Sequence, residues 1–305
     1  MKYLSAILTL MFSSFLTILI MLDVGNITGK IEKKSFLLKE RGYNIFRHGR
    51  GGEADFKIEV FNAFHKQLTH YKIDSVINLV AATDVDECER NINFAFDSNI
   101  LFIQNVVNEI LKIKENQRPH LVHISTDQVY QGSGPHLESN AKPLNIYAMT
   151  KFSSELVALR VQSTILRTNF IGRNDSNKKD SLSDFIIKSL RSGKQINVFN
   201  DVYFNPLFID TLCEIVELSF NSEINGIYNV GSCNGLSKSQ FAFSIAEKLG
   251  LNMNLMREVS VNSVNSLNAK RPLDMRMNCS AFLNRVNYKL PDLDTEIIKL
   301  ITDYK

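Results

Sequence analysis

The chain has 305 residues, about twice a typical domain, of which 44% are hydrophobic and 22% charged, with 14 Gly and 6 Pro. That composition can bury a sizeable core and excludes disordered, collagen-like and low-complexity chains. Its 35 Lys and Arg against 32 Asp and Glu leave a net charge of +3, too balanced for a dedicated nucleic-acid surface.

Residues 3 to 22 carry no charge. Such a run is long enough to cross a hydrocarbon core as a helix. With Lys2 ahead of it, the run is also similar to a signal peptide, although no small-x-small cleavage site stands out. Its second half, Ile18–Leu22, reads equally as a strand covered on both faces, since such strands are continuous apolar runs. The residues that follow decide between these readings. Lys30–Arg41 has a helical pattern, Gly42 is the residue that ends it, and Asn44–Arg47 reads as a strand. A βαβ unit needs a strand before that helix, and Ile18–Leu22 supplies it. Residues 1–17 are then an apolar extension; a membrane contact through it is not favoured, and the expected location is the cytoplasm.

Further strands are expected at Ser75–Leu79, Leu121–Ser125, Thr164–Arg167 and Ile227–Val230. Helices are expected at Lys57–His70, Phe94–Lys114, Ala148–Val161, Ser183–Ser192 and Lys238–Leu249. Strands alternating with helices indicate an α/β fold with a doubly wound parallel sheet. Beyond residue 170 the pattern loosens: Arg173–Asp180 reads as a loop and Asn197–Pro206 as a turn-rich connection. Residues 1–170 are therefore expected to form a domain around this sheet. Residues 171–305 are expected to form a smaller lobe, interleaved with the last sheet elements at about 200–232. Cys88, Cys213, Cys233 and Cys279 are dispersed, as reduced core cysteines are. The histidines show no metal-ligand spacing, so no metal is expected.

Tyr147 and Lys151 stand four apart at the start of a helix, on one face. A free phenol, with a pKa near ~10, is a poor acid at neutral pH. A cation about 4 Å away is worth about 4 kcal/mol at an effective dielectric of about 20, enough to lower that pKa by as much as ~3 pH units. Upstream, the strand in His123-Ile-Ser-Thr-Asp-Gln-Val-Tyr130 ends at Thr126. Ligands of doubly wound sheets collect at the carboxyl ends of strands, so Thr126 could hydrogen-bond a substrate carbonyl there.

With these residues in place the sequence resembles the extended short-chain dehydrogenase/reductases, and within them the dTDP-4-dehydrorhamnose reductase branch. The resemblance covers roughly residues 36 to 300. It rests on VINLVAATDVDECE (76–89), HISTDQVYQG (123–132), PLNIYAMTK (143–151), ILRTNFIG (165–172), NDVYFNPLFIDTL (200–212), GIYNVGS (226–232) and AKRPLDMRMNCS (269–280). It implies that residues 1–170 are an NAD(P)-binding Rossmann-type domain and residues 171–305 a substrate-binding lobe. It also implies that Thr126 polarises the carbonyl, that Tyr147 donates the proton, and that Lys151 tunes the phenol and holds the nicotinamide ribose. Asn78, Val80 and Ala81 match the loop that lies along the cofactor. Asp55 and Phe56 match the pair beside the adenine, and Asn99 matches a residue lining the cofactor cleft. Arg47 and Arg50 could pair with a 2′-phosphate, which slightly favours NADP(H) over NAD(H). Asn169 and Arg271 fall where the family contacts the sugar nucleotide, Arg271 as a bidentate diphosphate partner.

Two departures matter. The first βα turn, normally glycine-rich so that the backbone can approach the pyrophosphate, reads Asp23-Val-Gly-Asn-Ile-Thr-Gly29. If Gly29 is the third glycine, Asp23 and Asn26 hold the other two positions. A carboxylate beside the diphosphate sets an expectation of weakened, rearranged or absent cofactor binding. Secondly, Gln128 stands where related dehydratases carry the acid of their elimination, which disfavours that reaction. It also stands, with Ala82, where the reductases often have an aromatic residue. The sequence thus points to reduction of a 4-keto sugar nucleotide in deoxysugar or surface polysaccharide biosynthesis, by a homodimer that binds no nucleic acid. Its rivals are a regulatory binding protein on the same fold and a sugar-nucleotide epimerase.

Overall fold

The computed structural model describes residues 17–21, 41–49, 56–57, 63–174, 180–264 and 266–305, with the backbone alone for 19–21, 49, 56 and 57. The first elements are β1 (Thr17–Met21), β2 (Asn44–Gly49), β3 (Phe56–Lys57), α1 (Phe64–His70), β4 (Ser75–Asn78) and α2 (Val85–Arg90). Next come α3 (Ile92–Phe96), α4 (Phe102–Leu111), β5 (His120–Thr126), α5 (Ile146–Ala158) and β6 (Ser163–Thr168). The later part comprises β7 (Phe170–Ile171), α6 (Leu182–Arg191), β8 (Ile196–Phe199), β9 (Tyr203–Phe204), β10 (Leu207–Phe208) and α7 (Ile209–Asn221). It ends with β11 (Gly226–Val230), β12 (Leu236–Ser237), α8 (Lys238–Lys248), β13 (Met256–Val259), α9 (Ser280–Leu283) and α10 (Leu293–Thr302).

Seven parallel strands make one sheet in the order β11-β6-β5-β4-β1-β2-β3. The uncharged run therefore supplies an inner strand at Thr17–Met21, between β4 and β2. Residues 1–16 and the expected helix Lys30–Arg41, apart from Arg41 itself, lie outside the described residues. Gly42 has φ +92°, the left-handed conformation that a residue closing a helix adopts and glycine reaches without strain.

Alternation along the strands sends side chains to two separate cores. Val76, Leu121 and Ile165 face α1 and α4, packing with Phe64, Leu68, Ile103, Val106 and Ile110. Ile18, Ile77, Val122 and Leu166 face the other way, in one cluster with Phe208, Leu212 and Ile215. Each fully buried aliphatic contributes roughly 1.5–3 kcal/mol against exposure, so the doubly covered sheet is the main source of stability. Among the described residues no helix is long and apolar enough to cross a membrane. The four cysteines are free thiols, Cys88 and Cys279 buried and Cys233 exposed.

Several expected boundaries move. β2 continues to Gly49, so Arg47 lies within the strand opposite Ile20 rather than after it. Lys57 belongs to β3, and the helix expected from that position is seen from Phe64. Asn197–Pro206 holds parts of two short strands, β8 and β9. The helix expected over Phe94–Lys114 is broken: Asn91 caps α3 through its side chain, and a π-helical turn, Asp97–Leu101, precedes α4. Such a turn inserts one residue into the helical register, and here it carries the buried Asn99.

Beneath the strand ends lies a buried ion pair. Arg167 donates through Nη2 to Glu155 Oε2 at 2.7 Å and through Nε to Oε1 at 3.0 Å. Both side chains are at most 1% exposed. Arg167 Nη1 also donates to the Tyr130 hydroxyl (2.9 Å) and the Glu138 carbonyl (2.6 Å), and Ser125 Oγ donates to Glu155. Tyr130 donates in turn to Asn229 Oδ1 on β11 and stacks on His136 at 4.9 Å. One guanidinium thus ties together β5, α5, β6 and β11. Removing one partner leaves a buried charge uncompensated, which costs about 3–5 kcal/mol. Arg167→Met is accordingly expected to lower the thermal midpoint by roughly 10 °C, taking about 2–4 °C per kcal/mol for a chain of this size. Arg90→Ala, which breaks an exposed pair with Glu87, is expected to leave it unchanged. Thermal unfolding followed by circular dichroism checks both.

Candidate active site

The amino end of α5 is fixed from three sides. Asn145 caps it by accepting from the Ala148 amide at 2.8 Å, and donates through Nδ2 to the Lys270 carbonyl at 2.9 Å. The Ile146 amide donates to Glu89 Oε2 at 3.1 Å. From this anchored start the row Tyr147, Lys151, Glu155 faces inward, all three buried.

Tyr147 is buried against the end of β5, its phenol beside the Thr126 hydroxyl. Burial pushes the phenol pKa well up, and the nearby Asp127 and Cys88 add to the rise. This corrects the expectation that Lys151 lowers it. The ammonium is committed elsewhere, donating to the Ile124 carbonyl at 2.7 Å. Burial lowers the Lys151 pKa to about 8 against the opposing charge of Glu155. Thr126 itself is buried; its hydroxyl accepts from the Gln128 amide at 3.2 Å.

Along the neighbouring strand, the loop after β4 is pinned at two amides. Asn78 Oδ1 accepts from the Val80 amide at 3.1 Å. Asn99 Oδ1 accepts from the Ala82 amide at 2.7 Å, while its Nδ2 donates to Thr150 Oγ1 at 2.9 Å and to the Ala82 carbonyl at 3.3 Å. The structure therefore brings Asn78, Val80, Ala81, Asn99, Thr126, Tyr147 and Lys151 to the carboxyl ends of β4 and β5, with Ala81 half-exposed between pinned neighbours.

Asn169 donates to Asp127 Oδ2 at 2.7 Å, next to Thr126. Arg271, expected to grip a diphosphate, is paired with Asp86: Nη2 lies 2.6 Å from Oδ2. The other Asp86 oxygen accepts the Asn268 and Ala269 amides, each at 2.9 Å. Arg271 still lines a cavity of about 940 Å³, together with Lys270, Tyr203, Gln131 and Arg276. Arg47 and Phe56 sit apart, on β2 and β3. Gly29, Asp55 and Arg50 lie outside the described residues, as do Asp23 and Asn26.

Two charged residues escaped the sequence reading. Asp127 is buried, and burial raises its pKa to about 6 against the Asn169 amide and the charge of Lys238. Its adjacency to Thr126 was the available signal. Lys238, the first residue of α8, has no local signal, because only the packing of α8 brings its charge to Asp127. Burial lowers the Lys238 pKa.

A nicotinamide cofactor fits the described part of this site. Lys151 is a nearly enclosed ammonium that makes one hydrogen bond, leaving two N–H donors for ribose hydroxyls. Among the described residues no three His, Cys, Asp or Glu side chains gather as metal ligands.

The chain is similar to several known proteins. A spore coat polysaccharide biosynthesis protein of Bacillus subtilis, SpsK, is 32% identical over 188 residues, which is 60% of this chain and 63% of that protein. The dTDP-4-dehydrorhamnose reductase of Escherichia coli is 26% identical over 247 residues, covering 75% of this chain and 79% of its own length. In fold, the crystal structure of a dTDP-4-dehydrorhamnose reductase from Bacillus anthracis in complex with NADP matches with a TM-score of 0.81 at 19% identity. That match covers 95% of this chain and 99% of the other. The family model described as the RmlD substrate binding domain matches residues 32–305, a span that takes in Thr126, Tyr147, Lys151 and Arg271 alike. By that match the chain belongs to the RmlD substrate-binding-domain family.

Proposed function

We propose that the chain is an NADPH- or NADH-dependent reductase of a 4-keto sugar nucleotide, acting in the supply of deoxysugars for a surface polysaccharide. The observation that carries this reading is the gathering of Tyr147, Lys151 and Thr126, all buried, where the start of α5 meets the end of β5. Reduction of a ketone needs a proton donor beside the carbonyl oxygen, and the Tyr147 phenol stands next to Thr126 to give that proton. The bound reduced nicotinamide supplies the hydride to the carbonyl carbon. Thr126 Oγ1 donates a hydrogen bond to the carbonyl oxygen and Tyr147 Oη transfers its proton there, giving the alcohol. Solvent then returns the proton to the phenolate, while Lys151 keeps two N–H donors for the ribose hydroxyls.

In this reading residues 1–170 hold the cofactor. Residues 171–305 supply the sugar-nucleotide contacts, which the placement of Lys238, Lys270 and Arg271 supports. NADPH is the expected first choice, because Arg50 follows β2 in the sequence, where a 2′-phosphate would lie. A cytoplasmic setting follows from the need for reduced nicotinamide. Self-association as a homodimer is supported by the exposed Phe94, Leu101, Met149 and Leu156 along α3 to α5, since contiguous apolar patches mark interaction sites.

Tyr147→Phe is expected to reduce turnover of a dTDP-4-keto-6-deoxysugar by about 10²–10⁴-fold, the usual contribution of a general acid, with a near-native melting temperature. Undiminished turnover would remove the mechanism. Fluorescence titration with NADPH and NADH is expected to show saturable binding, tighter for NADPH. No binding at millimolar cofactor would favour the regulatory rival instead. The pH profile carries a further expectation. Lys151 is charged below about pH 8 and neutral above it, so kcat/KM falls as the pH rises through that value. Lys151→Arg, which keeps its proton throughout, is expected to move the fall to higher pH.

A further inference from the structure

His123 lies on β5 directly opposite Asn78 on β4 and is 1% exposed. Both of its ring nitrogens are engaged. Nδ1 is 3.0 Å from Asn78 Nδ2, and Nε2 is 2.9 Å from Ser154 Oγ on α5. Beyond Asn78 the contact continues to the Val80 amide (3.1 Å), and beyond Ser154 to the Lys151 carbonyl (2.5 Å). Five residues from three separate segments thus form one buried line from the loop after β4 to the turn of α5 that carries Lys151.

The direction of every bond in that line is fixed by its ends. The Val80 amide can only donate, so Asn78 presents Oδ1 to it and must present Nδ2 to the imidazole. His123 Nδ1 is then an acceptor, which places the ring proton on Nε2, facing Ser154. Ser154 accepts that proton's hydrogen bond and spends its own hydrogen on the Lys151 carbonyl. A ring so occupied has no proton to lend to chemistry, which separates His123 from a catalytic acid or base. His120, at the other end of β5, bonds Thr164 through Nε2 and leaves Nδ1 without a partner, so it joins nothing to α5.

We propose that His123 is a positioning residue that locks the Val80–Ala82 loop to the Lys151 turn, so that the loop and the ammonium meet the cofactor in fixed register. The inference rests on the reductase reading only in taking this loop and Lys151 as cofactor contacts. β5 holds Lys151 twice: its backbone through His123 and Ser154, and its ammonium through the carbonyl of the next residue, Ile124. Cutting the line at its far end should therefore be felt at Val80, which Ser154 does not touch.

The test uses the full chain and Ser154→Ala, a small change that removes one link. Nitrogen-15 spectra of the wild type are expected to show His123 protonated at Nε2 and bare at Nδ1. In Ser154→Ala the Val80 amide is expected to exchange with solvent about tenfold faster, while the Ile297 amide in α10 is unaffected. The NADPH dissociation constant is expected to rise about fivefold, and KM for NADPH to rise more than kcat falls. His123→Asn in the Ser154→Ala background is expected to add less than about twofold, because the line is already cut. A His123 ring protonated at Nδ1, an unchanged Val80 exchange rate, or additive losses in the double variant would overturn the proposal. The tautomer and exchange readings need no cofactor. A wild type that bound no nicotinamide would therefore fail the reductase reading while these two still decided the role of His123.

Discussion

The row of polar side chains on the inner face of α5 can exist only because Arg167 closes it. Tyr147, Lys151 and Glu155 occupy one stripe of a helix, and a stripe facing the sheet is ordinarily apolar. Burying an ammonium costs several kcal/mol unless a charge of opposite sign shares the low-dielectric environment. Glu155 supplies it, one turn behind Lys151. Glu155 would then be a buried carboxylate in turn, and the guanidinium of Arg167 meets both of its oxygens. Arg167 passes its remaining donor capacity to Tyr130 and the Glu138 carbonyl, and from there the network reaches β11. The proposed catalytic ammonium therefore depends on a chain of compensation that runs through four elements.

The cavity wall is set from the same side. The loop from Asn268 to Arg271 hangs on Asp86 of α2 through two amides and one guanidinium, and on the α5 cap through Asn145. Arg271 in this arrangement faces a carboxylate, and its charge is already balanced. Any diphosphate drawn to it competes with Asp86. Lys270 is the exposed cation next to it along the same wall, and the charge of Lys238 acts on Asp127.

Much of this fold could be read from the sequence, and the reasons are local. β1 was legible because a strand between two neighbours, covered on both faces, must be apolar throughout, and Ile18–Leu22 fits that description within a residue. Tyr147 and Lys151 were legible because helical spacing is fixed. The π turn at Asp97–Leu101 was not, since inserting one residue changes no composition, yet it sits where Asn99 reaches Ala82 and Thr150. Arg167 read as the end of a strand; nothing in Ile165-Leu-Arg-Thr indicates that its guanidinium turns inward to a carboxylate on another element. Lys238 and the Asp86–Arg271 pair share that character. Each depends on two segments far apart in the chain, and spacing arithmetic sees only one.

The phenol shows where such arithmetic fails even when the residues are right. A cation at 4 Å was worth about 4 kcal/mol at an intermediate dielectric, which argued for a lowered pKa. The folded chain gives that ammonium to the Ile124 carbonyl and encloses the phenol, so desolvation decides the sign. The outcome bears on the direction of the reaction. An alcohol is oxidised through a base, and an epimerase must run that step before it can reverse it. A ketone is reduced through an acid. A tyrosine that burial keeps protonated, beside Thr126 at the end of β5, has a proton to give. Tyr147 thus enters a ketone reduction as the proton donor.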